Sequence, residues 1–244
     1  MKSNFNNLCD IHFGEDKTKS FLFSGRGRPT DDNLIITHNG IKVSQHKEIK
    51  YLGCIFYEKA TGEKMAIQVI KKINGRLKFL WRKQKFLSPH LRRLLCNALI
   101  QPHFDYAASA WYPNQQRKFK SKLQICQNKC IIFCLSLGSR THIGAHEFET
   151  INWLPVSERF QQCVITHVFK QKNKLAPKFM DEMFVSADQY QTKTRASINK
   201  LFQPQCNKVI GYRAISSLGP TLWNKLPNQL KSVNSVNTFK YKIK

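Results

Sequence analysis

Apolar residues change their period along this chain, and each change predicts an element. Between residues 17 and 57, short apolar runs alternate with turn residues: KTKSFLF (17–23), the turn-rich GRGRPTDD (25–32), LIIT (34–37), IKV (41–43) and IKYLGCIFY (49–57). These read as strands, the last as one apolar strand. Asn39-Gly40 between two of the runs predicts a hairpin turn, since both residues tolerate positive φ. From residue 64 the spacing becomes 3 and 4. Ala66, Ile70, Ile73, Leu77, Leu80 and Trp81 form one stripe of a predicted helix over 64–86. Ser88-Pro89 reads as a cap followed by a first-turn proline ahead of LRRLLCNALI (91–100), which Pro102 ends or kinks. Phe119, Leu123, Cys126, Cys130, Phe133 and Leu137 predict a helix over 116–137, stopped by Gly138. Three such helices in a row imply a small bundle. Further helices are predicted at 156–171, at 177–184 and from Ser235 onward, with Trp223 anchored between two prolines in 219–227. The fold class that follows is α+β and predominantly α-helical.

Charge sharpens this picture. The chain has 244 residues, with 40 Lys and Arg against 15 Asp and Glu, a net charge of +25. The excess sits in two blocks: residues 64–146 carry 16 basic side chains and one acid, Asp105, and residues 189–244 carry 10 basic ones and no acid. A merely solvated surface mixes both signs, so a polyanion-facing surface is the better reading. On the 64–86 helix, Lys71, Lys78, Arg82 and Lys85 share a face roughly 120° from the apolar stripe at 100° per residue. Lys72, Arg76 and Lys83 widen that arc.

Other chemistry is less specific. Cys126, Cys130 and Cys134, with His142 and His146 nearby, have a spacing that suits an apolar helix face better than a zinc site, whose cysteines pair more tightly on loops. Asp31-Asp32 follows a loop composition and reads as a solvated turn rather than a two-metal centre. Gly25-Arg26-Gly27 is too short for a phosphate-binding fingerprint. No apolar run approaches the roughly 20 residues of a membrane span. The opening MKSNFNNLCDIHFGE lacks an apolar signal core, which predicts an intracellular chain, nuclear or cytoplasmic, without membrane partners.

A series of motifs resembles one family. HKEIKYLGCIFY (46–57) looks like the "KYLG" strand that follows the catalytic core of reverse transcriptases of non-LTR (LINE-type, jockey-like) retrotransposons. LRRLLCNALIQPHFDYAASAWYP (91–113) and KLQICQNKCIIFCL (122–135) resemble the thumb of those enzymes, with its "P…Y…W" junction and "LQ…QN" helix. INWLPVSERF (151–160), KLAPKFM (174–180), TKTR (192–195) and SSLGPTLWNKLPNQLK (217–231) resemble the segment beyond it.

The resemblance implies a β-hairpin palm remnant over 1–60, a thumb-like helical bundle over 61–145 and a mostly helical C-terminal region over 146–244. The family's activity is RNA-directed DNA polymerisation with Mg²⁺. Its aromatic-Ala-Asp-Asp turn has no counterpart in residues 1–16, so the implied chain is a truncated polymerase that keeps template–primer binding. No catalytic residue and no cofactor is assigned to it; Mg²⁺ belongs to the intact parent enzyme. By the same resemblance Lys17 lies near the incoming nucleotide's phosphates, and Tyr51, Leu52 and Gly53 match the primer grip. Lys71, Lys78, Arg82 and Lys85 then meet RNA and DNA template–primer phosphates. The competing readings are a stand-alone basic RNA- or DNA-binding protein and a protein–protein interaction module.

Overall fold

A computed structural model of the chain describes residues 18–23, 35–38, 40–189 and 199–244. The chain divides into two compact units, the first ending at Met65 and the second beginning at Ala66. It is mostly helical with a few small sheets, an α+β architecture.

Among the described residues, the first unit holds three two-stranded pairings. Strand β1 (Ser20–Phe21) pairs in parallel with β4 (Gln45–His46). Strands β2 (Ile36–His38) and β3 (Ile41–Val43) form the expected hairpin, with His38 opposite Ile41 and Gly40 at φ +80°. The 49–57 run is not one strand. It folds into β5 (Glu48–Tyr51) and β6 (Cys54–Tyr57), antiparallel, with Tyr51 opposite Cys54. Leu52 (φ +46°) and Gly53 (φ +80°) make the two-residue turn, the left-handed pair that matches strand twist in tight hairpins. Glycine takes that conformation without cost; the leucine before it conceals the turn from pattern reading.

Helix α1 spans Glu63–Arg82 and is followed by a 3₁₀ turn at Gln84–Phe86. Its buried side is Ala66, Val69, Ile73, Leu77 and Leu80, while Ile70 and Trp81 are half-buried. Helix α2 (Pro89–Leu99) starts as its sequence dictates, with Ser88 Oγ accepting from the Leu91 N–H at 3.3 Å and Pro89 in the first turn. It stops at Leu99, and Pro102 sits in the first turn of α3 (Gln101–Asp105), where its missing N–H costs nothing. Left-handed Ala107 (φ +48°) turns the chain into α4 (Ala108–Trp111). Helix α5 (Arg117–Leu135) ends three residues before Gly138: Ser136 itself adopts φ +57°, and the Leu137 N–H reaches back to the Ile132 carbonyl at 3.0 Å.

Helices α6 (Ala145–Thr150) and α7 (Val156–Lys172) follow. Helix α7 packs against α3, α4 and α5, so the helices on either side of residue 145 belong to one body. The expected helix at 177–184 is only a 3₁₀ turn, Lys178–Met180. Met180 and Phe184 are drawn into the core, and the chain beyond them pairs with residues 200–202 in an extended bridge, which a helix would forbid. Short helices α8 (Val209–Tyr212), α9 (Ile215–Asn224), α10 (Asn228–Lys231) and α11 (Val236–Lys242) complete the chain.

The second half has its own core of Ile165, Val168, Phe169, Met180, Phe184, Leu201, Trp223 and Phe239. Phe169 and Phe239 stack at 4.2 Å, joining α7 to α11. The GPTLWN stretch supplies most of the fit. A Cβ on Gly219 would lie 2.6 Å from Phe184 Cε1 and 3.0 Å from Val168 Cγ2, so only glycine lets α9 approach this closely. The Trp223 indole N–H donates to the Asn199 carbonyl, and Asn224 exchanges two hydrogen bonds with the Leu201 backbone, at 2.8 and 2.9 Å. Among the described residues no helix is long and apolar enough to cross a membrane.

Candidate nucleic-acid interface

Helix α1 carries the candidate cations on the side its packing leaves open. The buried residues centre about 160° from Lys71, Lys78 and Arg82 at 100° per residue, so the cations stand nearly opposite the core rather than at its flank. The 120° separation expected from sequence is thereby corrected. Ile70 and Trp81, counted in that apolar stripe, lie half-buried at one edge of it, and Val69 is buried at the other. All three cations are exposed, as is Lys85 on the 3₁₀ turn beyond. Between Lys71 and Arg82 the helix rises about 16 Å at 1.5 Å per residue. That length spans roughly five steps of a nucleic-acid strand at about 3.4 Å each.

Acids do not offset this face. Glu63 is the only one in α1, in its first turn. Lys64 there is engaged with Glu48, and that hydrogen bond raises its affinity for the proton. Asp105, the single acid of residues 64–146, is held by Arg159 through two contacts of 2.5 Å. Not every cation of the arc is equally available. Arg76 donates to the Leu99 carbonyl and ties α1 to the end of α2. Lys72 and Arg76 both act on His103, whose imidazole is held below its ordinary range by burial first and by these two cations next.

A second basic cluster was not singled out by the sequence reading. Arg117, Lys118, Lys120 and Lys122 occupy the start of α5, where no acid is present in the first turn and no side chain caps the helix. Cations are disfavoured at a helix N-terminus, whose own dipole is positive there. Lys120 lies over the Tyr112 ring at 5.1 Å, and burial, then Arg213, pushes its ammonium pKa down. Four cations in the six residues 117–122 were the available signal; the approach of Arg213 was not readable.

The remaining expected site residues fall as follows. Tyr51, Leu52 and Gly53 form the exposed tip of the β5–β6 hairpin, with Tyr51 62% and Leu52 73% accessible. Lys17, and with it Asp31-Asp32, lies outside the described residues. Cys126, Cys130 and Cys134 are buried, alongside Cys96 of α2. Cys126 is pushed up by burial; Cys96 and Cys134 are pushed up further, first by hydrogen bonding within the thiol cluster and then by burial. Such thiols stay protonated and serve as small apolar side chains. Among the described residues no group of three or more His, Cys, Asp or Glu side chains could hold a metal ion.

No protein-family model, no curated protein and no solved structure matches this chain.

The motifs that carry the resemblance have definite structural tasks. In the "LQ…QN" helix, Gln127 is wholly buried and donates to the Leu154 carbonyl at 2.8 Å, while Gln124 Oε1 accepts from the Val156 N–H at 3.0 Å. Both glutamines thus fasten the INWLP loop to α5. Trp153 of that loop donates to Asn97 Oδ1 of α2 at 2.9 Å. In the "P…Y…W" junction the Trp111 indole donates to the Tyr106 carbonyl across left-handed Ala107.

Proposed function

We propose that this chain binds nucleic acid through phosphates, as the thumb and downstream region of a non-LTR-type reverse transcriptase would hold template–primer, with Lys71, Lys78, Arg82 and Lys85 as the principal contacts. One observation carries the reading: Lys71, Lys78 and Arg82 stand on the exposed side of a helix whose opposite side is core, Lys85 is exposed on the turn beyond, and α1 has no acid after Glu63. Point charges on flexible stems neutralise a backbone without reading bases, so RNA and DNA are both expected partners. The exposed Tyr51-Leu52-Gly53 tip supports the primer-grip assignment, in which backbone and apolar contacts position a strand end. The reading gives this chain binding rather than catalysis.

The test replaces all four cations by Gln and measures duplex affinity against salt. Each lies off the buried side, so circular dichroism should remain native. Loss of about 4 phosphate contacts should lower the log-affinity versus log-salt slope by about 3 to 4, to a similar extent on unrelated sequences. An unchanged slope in the folded variant would move the binding face to the start of α5 or to residues 189–244.

A further inference from the structure

Phe86 is 82% exposed, more than any other large apolar side chain among the described residues. Its backbone is nonetheless fixed. The ring stands on the 3₁₀ turn Gln84–Phe86, closed by the Phe86 N–H on the Lys83 carbonyl at 3.0 Å and the Leu87 N–H on the Gln84 carbonyl at 3.2 Å. The buried Arg92 adds two bonds, to the Gln84 carbonyl at 2.9 Å and to the Leu87 carbonyl at 3.0 Å, one on either side of Phe86 in the chain. A slack loop would let so large an apolar ring find cover; this turn holds it out in water.

The neighbours of the ring narrow what it meets. From Lys78 to Phe86 the exposed positions are Lys78, Phe79, Arg82, Lys83, Lys85 and Phe86, so every one is basic or aromatic. No acid stands between Glu63 and Asp105. An apolar protein surface laid on Phe86 would strip these cations of water without pairing them, which is costly. A nucleic-acid strand satisfies both features at once. Its phosphates pair the cations, and any base offers a flat π-face to the ring. Phe79, 59% exposed, repeats the arrangement seven residues earlier, about 10 Å along α1 at 1.5 Å per residue.

We propose that Phe86 is a stacking platform for one unpaired base of a bound single strand. The proposal rests on the nucleic-acid reading above and adds a single-stranded segment to its ligand. A base within a duplex has both faces covered by its neighbours, so the ring acts where the strand is unpaired. Stacking tolerates every base, and the preference is for single strands rather than for a sequence.

The test uses the full chain and two single strands of equal length and phosphate count, one of thymidine residues and one wholly abasic. The parent should bind the thymidine strand about tenfold tighter, the gain from a stacked base. Phe86→Leu keeps an apolar side chain and removes the flat ring. It should lose most of that preference, bind the abasic strand as the parent does, and keep the parent's salt slope, because the phosphate contacts remain. Phe86→Trp should retain the preference, and its added indole emission should be quenched by the thymidine strand and not by the abasic one. The position is exposed, so both variants should melt with the parent. Equal affinity of the parent for the two strands, or a preference undiminished in Phe86→Leu, overturns the proposal and leaves the ring to an apolar protein surface. The four-cation Gln variant separates the two readings. Weaker binding of both strands with the thymidine preference retained supports both. Unchanged binding of both, with the preference still lost in Phe86→Leu, defeats the choice of cations and leaves the platform standing. Weaker binding of both, with no effect of Phe86→Leu, defeats the platform alone.

Discussion

The guanidinium of Arg92 lies over the ring of Phe133, 5.5 Å from its centroid, and donates to the carbonyl of the same residue at 3.4 Å. Arg92 is nearly buried, and none of its partners is acidic. Its other N–H groups reach the Leu87 carbonyl at 3.0 Å, the Gln84 carbonyl at 2.9 Å and the Ser136 hydroxyl. The charge is met by two carbonyls of the turn after α1 and by the Phe133 carbonyl near the C-terminus of α5, the negative end of that helix. One side chain thereby fastens α2, the turn after α1 and the end of α5. An ammonium cannot reproduce this planar fork. Arg92→Lys should cost about 2 to 4 kcal/mol, since several buried carbonyls lose their donors. Urea denaturation should show a lowered midpoint at an unchanged m-value; a midpoint within error of the parent would refute the clamp.

Two glycines should respond to alanine in opposite directions. At Gly219 the new Cβ meets Phe184 at 2.6 Å and Val168 at 3.0 Å, both inside the core, and overpacking there should cost about 1 to 3 kcal/mol. At Gly75, in the middle of α1, nothing lies within 4 Å of the new atom, and Gly75→Ala should stabilise by about 0.5 to 1 kcal/mol through helix propensity. Thermal melts of the two variants should therefore fall on either side of the parent. Destabilisation by Gly75→Ala would mean that this exposed face of α1 is covered in solution.

Stability should fall as pH drops below neutrality. Burial, then Arg76 and Lys72, lowers the pKa of His103; burial, then Lys170 and Lys240, lowers that of His167. Both are therefore neutral in the fold where the unfolded chain, near pKa 6.5, begins to take up protons. The unfolded state then binds more protons, so stability declines as pH falls from about 6.5 toward the depressed folded values and is retained above 6.5. Melting temperatures between pH 7.5 and 5.5 should show this slope, and the His103→Gln, His167→Gln double variant should flatten it. A slope equal to the parent's would assign the acid sensitivity to other groups.

Short-range signals made much of the architecture legible. The 3-and-4 spacing from Ala66 to Leu80, the Ser88-Pro89 start and the Ser235 start depend on residues within a turn or two of one another, and all appear in the structure. So does the antiparallel pairing of β2 with β3. The basic side of α1 was also legible as composition, because charge and period are properties of the chain itself.

Tertiary contact decided the rest. Pattern alone does not show that Leu52 accepts a left-handed turn, that Ser136 and not Gly138 ends α5, or that Met180 and Phe184 are pulled into a core with Trp223 and Phe239. Nor does it show that the cations face nearly opposite the packed stripe, since helix phase is set by which neighbours bury Val69 and Leu80. Gln101 states the difference most sharply. In the sequence it is one polar residue before a proline; folding α7 across α3 and α4 leaves it 3% exposed, its amide without a hydrogen-bond partner among the described residues. Local energetics wrote the helices and their charge into the sequence, while burial, which depends on residues far apart along the chain, made the site.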